Sequence, residues 1–75
     1  MRGTDVVQLF RQRGGNLRVR EVAEHFGVSN ARVTTTLRQL VNRGHLYRVS
    51  YGVYTADQEV GRRALQAQLD RMVSA

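Results

Sequence analysis

VREVAEHFGVSNARVTTTLRQLVNRGHLYRV, from Val19 to Val49, decides how this chain folds. Val22, Ala23 and Phe26 recur at helical spacing and make one apolar face. Ala23 is small enough to let a second helix come close. Gly27 supplies the left-handed turn residue that ends a helix, Val28 plugs the corner, and Ser29 is an N-cap type for a new helix. From Asn30 to Arg43, Val33, Leu37, Leu40 and Val41 share a second apolar face, and Gly44 stops that helix. Two short helices about a three-residue corner make a helix-turn-helix, whose second helix has the form that lies in the major groove of DNA.

Working outward, the stretch from His45 to Val49 reads as a strand. Gly52 sits in a tight turn, and Val53-Tyr54-Thr55 is the returning strand. Tyr54 is expected to pack beneath this hairpin. Asn16-Leu17-Arg18 is a short extended segment with Leu17 turned inward, available as a third strand. Before it, a helix is expected from Asp5 to Arg13, capped by Thr4, with a stripe of Val6, Leu9 and Phe10 and a stop at Gly14-Gly15. After the hairpin, a last helix is expected from Asp57 to Val73. Thr55 or Asp57 would cap it, and Thr55-x-x-Gln58 has the form of a capping box. Its stripe is Val60, Ala64, Leu65, Leu69, Met72 and Val73.

The second helix of the motif turns a different surface outward. Ala31, Thr35, Arg38 and Asn42 lie opposite the apolar face, with Arg32, Thr34 and Gln39 at its edges. Thr34, Thr35 and Thr36 are poor helix formers, each costing roughly half a kcal/mol against Ala, so packing has to hold this helix in place.

Charge follows the same division. The chain carries 12 basic side chains, all arginine, against 6 acidic ones, a net charge of +6. From His25 to Ala56 there is no Asp or Glu, whereas Arg32, Arg38, Arg43 and Arg48 fall there. Such a surface attracts a polyanion through counterion release, and guanidinium forks suit phosphate and guanine. Arg43 stands at a helix C-terminus, where it complements the helix dipole.

Other functions find little support. The 75 residues suffice for one small domain. There is no cysteine, hence no disulfide framework or thiolate metal site, which suits a reducing cytoplasm. His25 and His45 are isolated and suggest no metal site. No nucleophile signature and no phosphate-cradling glycine loop is visible, so the chain reads as a non-enzyme without a cofactor or evident small-molecule ligand. No apolar run approaches the roughly 20 residues of a membrane span.

The order helix, short strand, helix, helix, hairpin, helix resembles the winged helix-turn-helix superfamily of prokaryotic transcription regulators. The resemblance is carried by Val22-Ala23, by Gly27-Val28-Ser29, by Val33, Leu37 and Leu40, and by the run from Arg43 to Val49. It implies a mainly α (α+β) fold with a short β-hairpin wing and an additional C-terminal helix. It also implies that the residues after the Ser29 cap face DNA: Asn30, Ala31, Arg32, Thr34, Thr35 and Arg38. Arg32 and Arg38 would meet guanine or phosphate, Asn30 adenine, and Ala31 and the threonine methyls a thymine methyl. The hydroxyls of Ser29, Thr34 and Thr36 would meet phosphates. Arg48, Ser50 and Tyr51 in the wing would reach the backbone or minor groove. Many relatives carry Arg where this chain has Thr35.

Residues 1–56 are thus expected to form the DNA-binding domain. Residues 57–75 would either complete the core or dimerise through Leu65, Leu69, Met72 and Val73. The expected partners are double-stranded DNA and a second copy of the chain, at the nucleoid in the cytoplasm. Three rivals remain: a DNA architectural, excisionase-like or replication factor; a winged helix that binds protein; and an RNA-binding domain, which would call for more exposed aromatics than Tyr47, Tyr51 and Tyr54.

Overall fold

A computed structural model describes residues 1–74, the side chain of Ser74 excepted. Ala75, the last residue of the expected C-terminal segment, lies outside the described residues. The elements are α1 (Gly3–Arg13), β1 (Asn16–Arg18), α2 (Val19–Phe26), α3 (Asn30–Asn42), β2 (Tyr47–Ser50), β3 (Val53–Thr55) and α4 (Gln58–Ser74). The three strands form one antiparallel sheet in the order β1-β3-β2. This is the expected winged helix-turn-helix with its hairpin and additional helix.

The core forms where the helical stripes and the sheet meet. Val6, Leu9 and Phe10 of α1, Leu17 of β1, Val22 and Ala23 of α2, Val33, Leu37 and Leu40 of α3, Leu46 and Tyr54 pack as one buried cluster. Val28 packs against it from the corner, where Gly27 takes φ 67° and lets the Val28 N–H donate to the Ala23 carbonyl at 3.1 Å. Thr55 is fully buried yet satisfied. Its hydroxyl donates to the Gly15 carbonyl at 3.3 Å and accepts from the Asp57 N–H at 3.1 Å. That side chain ties the end of β3 to the loop before β1.

Helix boundaries depart from expectation where a carboxylate takes over capping. α1 starts at Gly3 rather than Asp5, and Thr4 is not its cap. The Asp5 carboxylate reaches back to the Arg2 N–H at 3.3 Å, which makes Arg2 the boundary residue and Asp5 the third of the helix. For α4, Asp57 is the cap: its carboxylate accepts from Glu59 and Val60 N–H groups at 2.9 and 3.3 Å. Thr55 instead supports Asp57, so the anticipated Thr55–Gln58 box does not form.

The stripe of α4 divides into two parts. Gly61 is buried, and Val60 and Ala64 are half-buried, where the helix crosses β2. An added Cβ at Gly61 would lie 2.3 Å from Cβ of Tyr47, so glycine is what permits this approach. Leu65, Leu69, Met72 and Val73 are 46–86% exposed.

Candidate nucleic-acid interface

The surface opposite the core of α3 begins at Ser29. Its hydroxyl oxygen accepts from the Arg32 N–H at 3.2 Å and fixes the first turn. No acidic residue occupies that turn, so the positive end of the helix is uncompensated by the chain itself.

Asn30, Thr34, Arg38 and Asn42 follow at i, i+4, i+8 and i+12 and form one row along α3. Facing that row is the β2–β3 hairpin. The two elements enclose an open groove of about 500 Å³, which the row shares with Val41, Arg48, Tyr51 and Tyr54. Its inner end is anchored by the Val19 N–H, which donates to the Gly52 carbonyl in the hairpin turn at 3.1 Å. Among residues expected from the sequence, Asn30, Thr34, Arg38, Arg48 and Tyr51 are brought together here. Asn42 joins them, and its place in the four-residue row was the available signal.

The wing tip has its own device. Arg48 pairs with Tyr54 across the hairpin and Ser50 with Val53, which leaves Val49 as an extra residue in a bulge. Past the bulge the chain turns at Tyr51 and Gly52, the latter at φ 72°. The Arg48 guanidinium lies 5.7 Å from the centre of the Tyr51 ring, within cation–π reach. Tyr51 is otherwise 92% exposed. An arginine and a phenol ring are thereby presented together at the rim of the groove. The bulge itself has no signature in the sequence, because Val49 continues the strand composition on either side.

The remaining expected residues are exposed but lie elsewhere. Ala31 and Thr35 point away from the core, and Arg32 stands on the flank of α3 away from the hairpin. The three threonines share one arrangement: Thr34, Thr35 and Thr36 hydroxyls donate to the carbonyls of Asn30, Ala31 and Arg32 at 2.9, 3.1 and 3.1 Å. With the proton committed inward, each oxygen is left as an acceptor. A phosphate, which only accepts, would have to displace that bond, whereas a base amino group would not. The expectation that Thr34 and Thr36 hydroxyls meet phosphates is weakened by this geometry. Thr34 is better suited to a base-edge donor.

Tyr54, buried with the core, serves as support beneath the wing, as expected. Nothing in the groove resembles a catalytic constellation. Its titratable side chains are arginines and tyrosines. No helix among the described residues is long and apolar enough to cross a membrane.

Against this geometry stand the comparisons with known proteins. A family model described as IclR helix-turn-helix domain matches residues 1–50, the span of α1, β1, α2, α3 and β2. No curated protein and no solved structure matches the chain.

Proposed function

The chain belongs to the IclR helix-turn-helix domain family, a family of winged helix-turn-helix DNA-binding regulators, and we propose that it acts as a small dimeric transcriptional repressor. In this reading α3 enters the major groove of a specific duplex site. Bound there, the protein excludes polymerase or another factor.

The observation that carries this reading is the groove of about 500 Å³ with Asn30, Thr34 and Arg38 on one wall and Arg48 and Tyr51 on the other. Arg38 has the length and fork geometry for guanine O6 and N7, Asn30 for adenine N6 and N7, and the Thr34 oxygen for an amino group. In this reading Arg48 and Tyr51 would meet the sugar-phosphate strand at the edge of the major groove. Ser29, Ala31, Arg32 and Thr35 border the same face. The outward surface of α3 is polar, with no apolar patch of the kind a protein-binding winged helix would offer.

Residues 1–56 form the DNA-binding unit in this proposal, and residues 57–75 the dimerising segment, through α4. Support comes from Leu65, Leu69 and Met72, exposed at i, i+4 and i+7 on α4. The helix carries three arginines and two acids, a net +1 of the chain's +6, so a second copy meets little repulsion there. A two-fold pair predicts half-sites roughly 34–36 Å apart.

Selection of bound sequences from a random duplex pool tests the reading directly. The expected product is a palindromic motif. Arg38→Ala should lose preference at one position of each half-site, at about 1–3 kcal/mol, while its thermal melt stays at the wild-type value. An unselected pool would remove the reading. An asymmetric, phased set of weakly related sites would favour the architectural rival.

A further inference from the structure

A second depression, of about 520 Å³, lies between the start of α1 and the C-terminal end of α3. Arg2, Arg11, Arg43 and His45 line it together with Thr4 and Gln8, and no carboxylate is among its lining residues. The ion pairs among the described residues, Arg20–Glu24 and Arg63–Glu59, leave these three guanidiniums uncompensated. The nearby Asp5 carboxylate is engaged with the Arg2 backbone N–H at 3.3 Å. Gly3 packs close to Leu40 here: a Cβ at that position would lie 3.2 Å from Cδ2 of Leu40.

The position of this cluster gives it meaning. Helix geometry places the α3 residues of the hairpin groove and the two residues of this depression at the other end of the helix, Leu40 and the C-cap Arg43, roughly 160° apart around the axis. They are opposite flanks of one helix. Along the second flank run Arg32, Thr36, Gln39 and Arg43, at i, i+4, i+7 and i+11, with an arginine at each end and no acid. A helix about 10–12 Å across fills a major groove about 12 Å wide, so the phosphates of both strands come within reach of its two flanks.

We propose that the Arg2–Arg11–Arg43 depression docks the sugar-phosphate backbone of the DNA strand on the side of the groove away from the wing. The protein then grips the duplex from both banks, with the Arg48–Tyr51 wing on one and this cluster on the other. The proposal deepens the DNA-binding reading and rests on it. It assigns these side chains to phosphate positioning, with no part in reading sequence.

The test is a salt series of binding by fluorescence anisotropy on a mixed-sequence duplex of about 30 base pairs. Arg2→Gln with Arg11→Gln should weaken binding on the order of tenfold and lower the slope of log K against log salt by about 2. Arg11→Gln alone should lower it by about 1, which keeps the test usable if the double variant melts early. The motif selected from a random pool should not change. Wild-type slope and affinity in folded variants would overturn this proposal and leave the DNA-binding reading standing. Failure of the wild-type chain to bind any duplex would overturn both, and a changed motif would move the cluster from positioning to readout.

Discussion

The two longest helices are held in opposite ways. α3, with 13 residues, contains three consecutive threonines and is fixed by Val33, Leu37 and Leu40, which are sunk in the core. α4, with 17 residues, is built largely from glutamine, arginine, alanine, leucine and other good helix formers, and among its described residues only Gly61 is buried. The first helix is a fixed surface whose exposed side chains are free to be poor helix formers. The second stands by its own backbone, touches the sheet with its first turns, and leaves the rest of its stripe open. A rigid polar face on α3 and an unfilled apolar face on α4 is the division that the proposed dimeric reader would need.

The largest effect should come from breaking the support of α3. Leu37 is fully buried, and Leu37→Ala should cost about 2–5 kcal/mol. A domain this small has on the order of 4–11 kcal/mol to lose, so urea melts should show a chain partly or wholly unfolded. Leu69→Asp on α4 should behave otherwise. In dilute solution its melt should stay within about half a kcal/mol of wild type. In sedimentation equilibrium at high concentration it should remain monomeric where wild type pairs. If Leu69→Asp unfolds the chain as Leu37→Ala does, the contrast between the helices is wrong.

A smaller effect is expected where α4 meets the sheet. Gly61→Ala places a methyl 2.3 and 2.5 Å from Cβ and Cγ of Tyr47, atoms too near the backbone to swing aside. The clash should cost about 1–3 kcal/mol, offset by up to about 1 kcal/mol of helix propensity. The net result is a lower melting temperature or a loosened α4, visible as a change in the near-ultraviolet tyrosine signal. An unchanged melt would show that the two elements are not clamped, and the sheet would then give α4 no fixed direction.

That glycine also shows what the sequence reading reaches. The corner at Gly27-Val28-Ser29, the stripes of α2 and α3 and the strand segments were legible, because each depends on neighbours within one or two turns. The role of Gly61 was not: inside a helical stretch it looks like a weak position, and only the distant Tyr47 explains it. The same applies to the stripe of α4, which continues unbroken in sequence from Val60 to Val73 but is divided by where β2 ends. In the interface, Thr34 and Arg38 could be placed on the outward surface from helical spacing, and Asn30 from the resemblance to winged helix-turn-helix regulators. Their partnership with Arg48 and Tyr51 depends on the bulge at Val49, a long-range pairing that no local pattern encodes.

The smallest expected effect is also the one that sharpens the comparison most. If packing alone holds α3, its exposed threonines cost stability that the core makes up. Thr35 is exposed, and its hydroxyl bond to the Ala31 carbonyl at 3.1 Å closes only on its own helix. Thr35→Ala should therefore raise stability by about half a kcal/mol, or roughly 2–4 °C in melting temperature. Affinity for the selected duplex should fall at the same time, since the outward methyl and oxygen are lost. Opposite signs in the two measurements would mean that the threonine is kept for the surface it presents. A drop in both would mean that the hydroxyl ladder helps to hold α3, and that this helix is less dependent on its core than its buried face suggests.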